Sequence, residues 1–121
     1  TFASAFAGKR VVVTGHTGFK GSWLSLWLAE LGAEVSGFAL PPITSDGLYP
    51  YLRKSVFKRD RQADIGDASA LHSFVEEVQP DFVFHLAAQP LVRLSYEKPT
   101  ETLATNVLGS ANLLEAVRGL N

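Results

Sequence analysis

The sequence has no cysteine, and its positive and negative charges nearly cancel. Without cysteine there is neither a disulfide scaffold nor a thiolate metal site, and this absence fits a reducing compartment, so a cytoplasmic location is expected. The net charge is −1 at pH 7 with no block of one sign, so no nucleic-acid partner is expected. No apolar run reaches the roughly 20 residues that span a bilayer, so no membrane association is expected either.

One stretch, residues 11–21, dominates the chain and reads Val-Val-Val-Thr-Gly-His-Thr-Gly-Phe-Lys-Gly. The three valines predict a short buried strand, and Gly15, Gly18 and Gly21 then lead into an apolar helix. The first glycine permits a tight turn, the second lets the backbone approach a pyrophosphate, and the third lets the helix pack close to the strand. Because a helix N-terminus offers free N–H donors, we predict a phosphate-binding loop, with an ordinary strand-to-helix turn as the alternative.

Apolar spacing, glycines and prolines predict alternating strands and helices. Strands are predicted at 9–14, 34–39, 57–63 and 81–86, with helices at 19–31 and 68–78 and a helical turn at 48–54. Asp67 is expected to cap the second helix, and the charged third strand is expected at the sheet edge. This alternation predicts an α/β fold, a Rossmann-type doubly wound parallel sheet with flanking helices.

The predicted sheet is incomplete. A full doubly wound sheet has about six strands, whereas this chain supplies the four just named. Residues 1–121 are therefore expected to be the N-terminal part of a dinucleotide-binding domain, with the rest of that domain and a substrate domain lying outside them.

The glycine loop also carries a family resemblance. Residues 14–21, Thr-Gly-His-Thr-Gly-Phe-Lys-Gly, resemble the T-G-x-x-G-x-x-G loop of the extended short-chain dehydrogenases/reductases, and residues 85–96 are similar to a second block of that family. The likeness runs from about Gly8 to the last residue and is weakest between Pro41 and Ala63. It implies NAD as the cofactor, with NADP not excluded.

The resemblance also assigns cofactor contacts at the ends of the predicted strands. Asp64 and Ile65 match the family's adenine-contact pair, although a loop carboxylate and a core isoleucine are the alternative. The residues after the fourth strand lie where open α/β sheets bind ligands. The expected cofactor-binding residues are Gly15, His16, Thr17, Gly18, Phe19, Lys20, Gly21, Asp64, Ile65, Leu86, Ala87, Ala88, Gln89 and Thr105. Valine at Gly15 is predicted to abolish cofactor binding and leave the fold intact.

One expected feature of a ribose site is missing. An acidic residue about 20 positions after the glycines normally bonds the adenosine ribose, but residues 36–40 contain none, and Asp46 lies beyond two prolines. NAD and NADP therefore both stay open. Lys20 is expected either to face the phosphates or to be a solvated lysine. Asn106 matches an asparagine of the family's helix, with a buried amide that orders the helix as the alternative.

Three histidines are present, and they do not have the spacing of a metal site. His16 is expected near the cofactor, His72 in solvent on a helix, and His85 in a hydrogen bond within the core.

No catalytic residue is expected in this chain. Related enzymes use Tyr-x-x-x-Lys, in which lysine lowers the tyrosine pKa and tyrosine takes a hydroxyl proton. The three tyrosines, Tyr49, Tyr51 and Tyr96, all lack a lysine four positions later. The chain alone is therefore expected to be inactive.

The resemblance implies that the parent protein is a lyase, a nucleotide-sugar dehydratase that converts CDP-glucose to CDP-4-keto-6-deoxyglucose and water in lipopolysaccharide O-antigen synthesis. Two alternatives stay open. One is another nucleotide-sugar epimerase or reductase on the same scaffold, and the other is a non-catalytic dinucleotide sensor.

The last predicted helix, 101–118, is expected to cover the fourth strand and, by the resemblance, to pack against a second copy in a homodimer or higher homo-oligomer. Its predicted buried stripe comprises Leu103, Val107, Ala111, Leu114 and Val117. Leu108 and Leu113 lie off that stripe and are predicted to form the contact between the two copies.

Overall fold

A computed structural model describes residues 1–120; Asn121, the last residue of the predicted domain segment, lies outside the described residues. The centre is a four-stranded parallel sheet in the order β3-β2-β1-β4. Its strands are β1 (Arg10–Thr14), β2 (Glu34–Ala39), β3 (Phe57–Gln62) and β4 (Phe82–His85). The predicted α/β parallel sheet is confirmed, and β3 occupies an edge as its charges predicted.

The helices lie on both faces of the sheet. In chain order they are α1 (Phe19–Glu30), α2 (Tyr49–Leu52), α3 (Ala68–Val78), α4 (Val92–Glu97), α5 (Pro99–Leu103), a π-helical segment (Ala104–Leu108) and α6 (Gly109–Arg118). A 3₁₀ turn, Ala3–Ala5, precedes β1. Within residues 1–120, none of the helices has the length and apolar character needed to cross a membrane.

The core forms two layers because side chains alternate along β1. Val12 points to the face covered by α3 and α6, where it packs with Phe38 and Phe74. Val11 and Val13 point to the opposite face and pack against Leu28 of α1. The cap on α3 is the predicted one, since Ala70 N–H donates to Asp67 Oδ1 at 3.0 Å.

Most of the predicted buried stripe of the last helix is wrong, although Val117 packs against the core as predicted. Leu103, Val107 and Leu114 are 60%, 57% and 71% exposed, whereas Leu113 is only 4% exposed. Leu113 packs in the core between α6 and α3, so it cannot make the predicted contact with a second copy. The physical reason is Gly109: a Cβ there would lie 2.5 Å from Ile65 Cγ2, so the small residue lets this side of the helix approach the core closely.

Candidate functional site

The chain turns sharply between β1 and α1, at Gly15. Its φ of +78° favours glycine, and its N–H donates to the Phe38 carbonyl at 3.0 Å. A Cβ on Gly15 would lie 2.7 Å from Ala87 N and 2.7 Å from Leu86 C. The prediction that valine at Gly15 leaves the fold intact is therefore wrong, because backbone atoms fill the space that a side chain needs.

The other two glycines of the loop differ in what surrounds them. A Cβ on Gly21 would overlap the Gly15 carbonyl group, so this glycine lets α1 start close to β1, as predicted. Gly18 precedes α1 with φ −83° and ψ 176°, an extended conformation open to any residue. Only the Gly15 carbonyl oxygen, 3.4 Å away, comes within 4 Å of a Cβ built on Gly18. A ligand can approach the backbone here, at the N-terminus of α1, where helix N–H groups lack partners within the helix.

A cavity of about 820 Å³ opens at the carboxyl ends of the strands. It brings together all but two of the predicted cofactor residues, from four separate parts of the chain. These lining residues are Gly15, Thr17, Gly18, Phe19, Lys20, Gly21, Asp64, Ile65, Leu86, Ala87, Ala88 and Thr105. The volume suits a cofactor or drug-sized ligand.

The wall of the cavity beyond β2 was not predicted. It consists of residues 39–44 together with Gly47, Leu48 and Pro50. Thr17 Oγ1 donates to the Leu40 carbonyl at 2.8 Å and so ties this wall to the glycine loop. The signal for it was the position of the segment directly after a central strand, since ligands bind at the carboxyl ends of parallel strands. Asp46 does not line the cavity.

His16 does not line the cavity, which corrects the expectation that it lies near the cofactor. Its side chain is fully buried behind the loop, and Gly37 makes room for it, since a Cβ there would lie 2.6 Å from His16 Nδ1. His16 Nε2 is 2.7 Å from Asp60 Oδ1, and Tyr49 O–H donates to Asp60 Oδ2 at 2.5 Å. Burial lowers the pKa of His16, against the opposing effect of Asp60.

Asp64 and Ile65 line the cavity and are themselves fixed by hydrogen bonds. Asp64 Oδ1 accepts the Gly66 N–H at 2.7 Å, and Asn112 of α6 donates to the Ile65 carbonyl at 3.2 Å. Ile65 is also part of the core cluster beneath α6. One face of Ile65 thus packs in the core, while the residue also contributes to the cavity lining.

Gln89, the second predicted residue outside the cavity, is held by Asn106. Gln89 N–H donates to Asn106 Oδ1 at 2.7 Å, and Asn106 Nδ2 donates to the Gln89 carbonyl at 3.1 Å. Its own Nε2 donates to Thr102 Oγ1 at 3.1 Å. Gln89 and Asn106 therefore position the loop that follows β4 instead of facing the cavity.

Of the remaining histidines, His72 lies as predicted, whereas His85 is hydrogen-bonded as predicted but is exposed at the end of the edge strand β4, not buried in the core. His72 is half exposed on α3, 3.9 Å from Glu76. His85 ends β4 with both ring nitrogens hydrogen-bonded, Nδ1 to Thr14 Oγ1 at 2.6 Å and Nε2 to Ser110 Oγ at 2.9 Å.

A glycine turn from strand to helix, opening on a cavity at the carboxyl ends of parallel strands, defines a dinucleotide-binding fold of the Rossmann class. A family model described as GDP-mannose 4,6 dehydratase matches residues 12–121. The chain therefore belongs to the GDP-mannose 4,6-dehydratase family.

Curated relatives support the same placement. CDP-glucose 4,6-dehydratase of Salmonella typhimurium is 55% identical over 111 residues, which cover 92% of this chain and 31% of the relative. GDP-mannose 4,6-dehydratase of Vibrio cholerae is 35% identical over 118 residues, covering 93% of this chain and 32% of the relative. The chain thus spans about a third of the length of these relatives. The resemblance carried by the glycine loop and by residues 85–96 is confirmed.

Solved structures share the fold. The epimerase Mth375 from Methanothermobacter thermautotrophicus superimposes with a TM-score of 0.84 at 32% identity, over 98% of this chain and 34% of that one. UDP-glucose 4-epimerase of Thermus thermophilus, solved in complex with NAD, gives 0.78 at 34% identity, over 93% and 35%.

Proposed function

We propose that this chain is the N-terminal, NAD-binding part of a nucleotide-sugar 4,6-dehydratase that acts on CDP-glucose. The observation that carries the proposal is the cavity at the strand ends, which gathers the glycine loop, Asp64–Ile65 and Leu86–Ala88 around one space. The choice of CDP-glucose is supported by the 55% identity to the Salmonella typhimurium enzyme. The proposed product is CDP-4-keto-6-deoxyglucose. We propose that it is made in the cytoplasm and used in the synthesis of O-antigen sugars.

The residues of the cavity suit a dinucleotide. Gly18 and the N-terminus of α1 would hold the pyrophosphate, because the backbone at Gly18 is open on one side. Asp64 and Ile65 would hold the adenine, and the small Ala87 and Ala88 would admit the other end of the cofactor. When bound, NAD would itself serve as the hydride acceptor and would give the hydride back within the same catalytic cycle. The wall beyond β2 lacks the acidic residue that usually binds the adenosine ribose, so the affinities for NAD and NADP should be compared.

The proton-transfer residues would lie outside these 121 residues, because no Tyr-x-x-x-Lys occurs within them. We accordingly place residues 1–121 in the N-terminal part of a dinucleotide-binding domain, and we expect no substrate turnover from this part alone.

The proposed protein is a homodimer or higher homo-oligomer. An exposed apolar strip on the last helices supports this assembly, and it comprises Leu103, Val107, Leu108 and Leu114. Leu113 is not part of the strip. A strip of four large apolar side chains is costly to leave in water, and in the proposed assembly a second copy would cover it.

The alternative activity is epimerisation, which the likeness to solved UDP-glucose 4-epimerases favours. Calorimetry with NAD and NADP, followed by incubation of the full-length protein with CDP-glucose and product mass spectrometry, separates the candidates. We expect NAD binding and a product that has lost one water. A product of unchanged mass would indicate an epimerase, binding without turnover would indicate a sensor, and no binding of either cofactor would refute the proposal.

A further inference from the structure

The turn after β4, residues Leu86–Ala88, is held by a chain of hydrogen bonds whose direction can be worked out. Thr14 Oγ1 accepts the N–H of Ala87 at 3.2 Å and shares the N–H of Leu86, at 3.1 Å, with its own carbonyl. A hydroxyl has two acceptor positions and one proton. Both acceptor positions are occupied, so the Thr14 proton must point to its remaining neighbour, His85 Nδ1, at 2.6 Å.

This arrangement determines the protonation of His85. Because Nδ1 accepts from Thr14, Nδ1 carries no proton, and the neutral ring carries its proton on Nε2. Nε2–H then donates to Ser110 Oγ at 2.9 Å, and the Ser110 hydroxyl donates to the Asn106 carbonyl at 2.7 Å. Partial burial of the ring lowers the pKa of His85, which agrees with a neutral ring.

The hydrogen-bond chain ends at Asn106, the residue that also holds Gln89 at the other end of the turn. Asn106 accepts the Ser110 hydroxyl through its backbone carbonyl and holds Gln89 through its side-chain amide. Asn106 lies in the π-helical segment, and Ser110 lies in the first turn of α6. The turn Leu86–Ala88 is therefore held at both ends. Hydrogen bonds among Thr14, His85 and Ser110 hold its first residues, and hydrogen bonds between Asn106 and Gln89 hold the residue that follows it.

We infer that His85, as its Nε2–H tautomer bridging Thr14 and Ser110, is a positioning residue that holds the cavity-lining turn Leu86–Ala88 against the glycine loop. The turn lines the cavity and touches Gly15, so a shift in the turn changes the space offered to a ligand. The effect on cofactor affinity rests on the function proposed above, whereas the effect on the turn does not.

The matched variants for this inference are Ser110→Ala and Ser110→Thr in the full-length protein. Alanine removes the hydroxyl between His85 and Asn106, and threonine keeps it. His85→Asn is the second test, because an asparagine oxygen can stand in for Nδ1 but cannot reach Ser110. His72→Asn, on the exposed face of α3, serves as the control histidine.

Two measurements that do not need a ligand come first. Nitrogen-15 NMR should show the Nε2–H tautomer at His85, and amide exchange at Ala87 should quicken roughly tenfold in Ser110→Ala and in His85→Asn, a change of about 1.4 kcal/mol. Ser110→Thr should restore slow exchange. An Nδ1–H tautomer, or Ala87 exchange unchanged in both variants, would overturn the inference.

Cofactor affinity is the second arm of the test. We expect the NAD dissociation constant to rise roughly three- to tenfold in Ser110→Ala and to return in Ser110→Thr, since the lost hydroxyl weakens one of the two sets of hydrogen bonds that hold the turn. A lower melting temperature with unchanged NAD affinity and unchanged Ala87 exchange would reduce His85 to a stabilising role only. If the unmodified protein binds no NAD, the proposed function fails, and the tautomer and exchange data still decide the role of His85.

Discussion

The three glycines of the loop between β1 and α1 should respond differently to the same substitution, alanine. At Gly15, the left-handed φ of +78° costs an alanine about 1–2 kcal/mol. The new Cβ would also lie 2.7 Å from Ala87 N, and crowding of this kind costs a further ~1–3 kcal/mol. Gly15→Ala should therefore lower the free energy of unfolding by about 2–5 kcal/mol.

The same change has different consequences at the other two glycines. Gly21→Ala places its Cβ closer to the Gly15 carbonyl oxygen than any backbone atom lies to a Cβ at Gly15. Its crowding cost is therefore at the upper end of ~1–3 kcal/mol, and the ~1 kcal/mol better helix propensity of alanine offsets only part of it. Gly18→Ala has ordinary φ and a nearest neighbour at 3.4 Å. Its cost is the weaker helix cap that alanine makes, below about 1 kcal/mol. Its methyl group nevertheless faces the space proposed for the pyrophosphate.

Urea unfolding and NAD calorimetry on the full-length protein test this order. We expect Gly18→Ala to stay folded and lose cofactor affinity, while Gly15→Ala loses stability first. Gly18→Ser is the matched control, because serine keeps a good helix cap but still carries a Cβ into the same space. A Gly15→Ala protein as stable as the unmodified one would refute the steric argument. Full NAD affinity in a folded Gly18→Ser protein would refute the pyrophosphate assignment.

Three further outcomes depend on charge and burial elsewhere in the chain. Asp81 accepts the Arg10 N–H at 2.8 Å, and this bond lowers its pKa from 3.8. Its stabilising effect is full at neutral pH and is lost as pH falls through the lowered value, so the difference in urea midpoint between Asp81→Asn and the unmodified protein should vanish in acid. Leu108→Glu with Leu114→Glu should shift the sedimentation of the full-length protein toward monomer without unfolding it; an unchanged oligomer would place the interface elsewhere. Leu113→Glu should instead abolish folding, measured by circular dichroism, because it buries a charge.

The sequence alone determined the features that depend on neighbours along the chain. Val11–Val13 form a buried strand, Gly15 supplies the positive φ of the turn, and Asp67 caps α3, all within a few residues of each signal. The predicted cofactor residues of the loop and of Leu86–Ala88 could be placed at one edge of the sheet before the structure, because parallel strands bring their carboxyl ends together. Asp64–Ile65 were assigned to the same site by the family resemblance.

Only the tertiary structure decided which side chains are buried in the core and which face solvent or the cavity, where the sequence pattern allowed both. The last helix carries leucines on two faces, so apolar spacing cannot choose between them, and the close approach at Gly109 buries Leu113 and leaves Leu114 exposed. The position of His16 in the glycine loop suggested a ligand contact. The absence of a side chain at Gly37 instead leaves a buried space for the His16 ring, where it hydrogen-bonds Asp60. These choices depend on contacts between residues far apart in sequence, whose energies no local pattern contains.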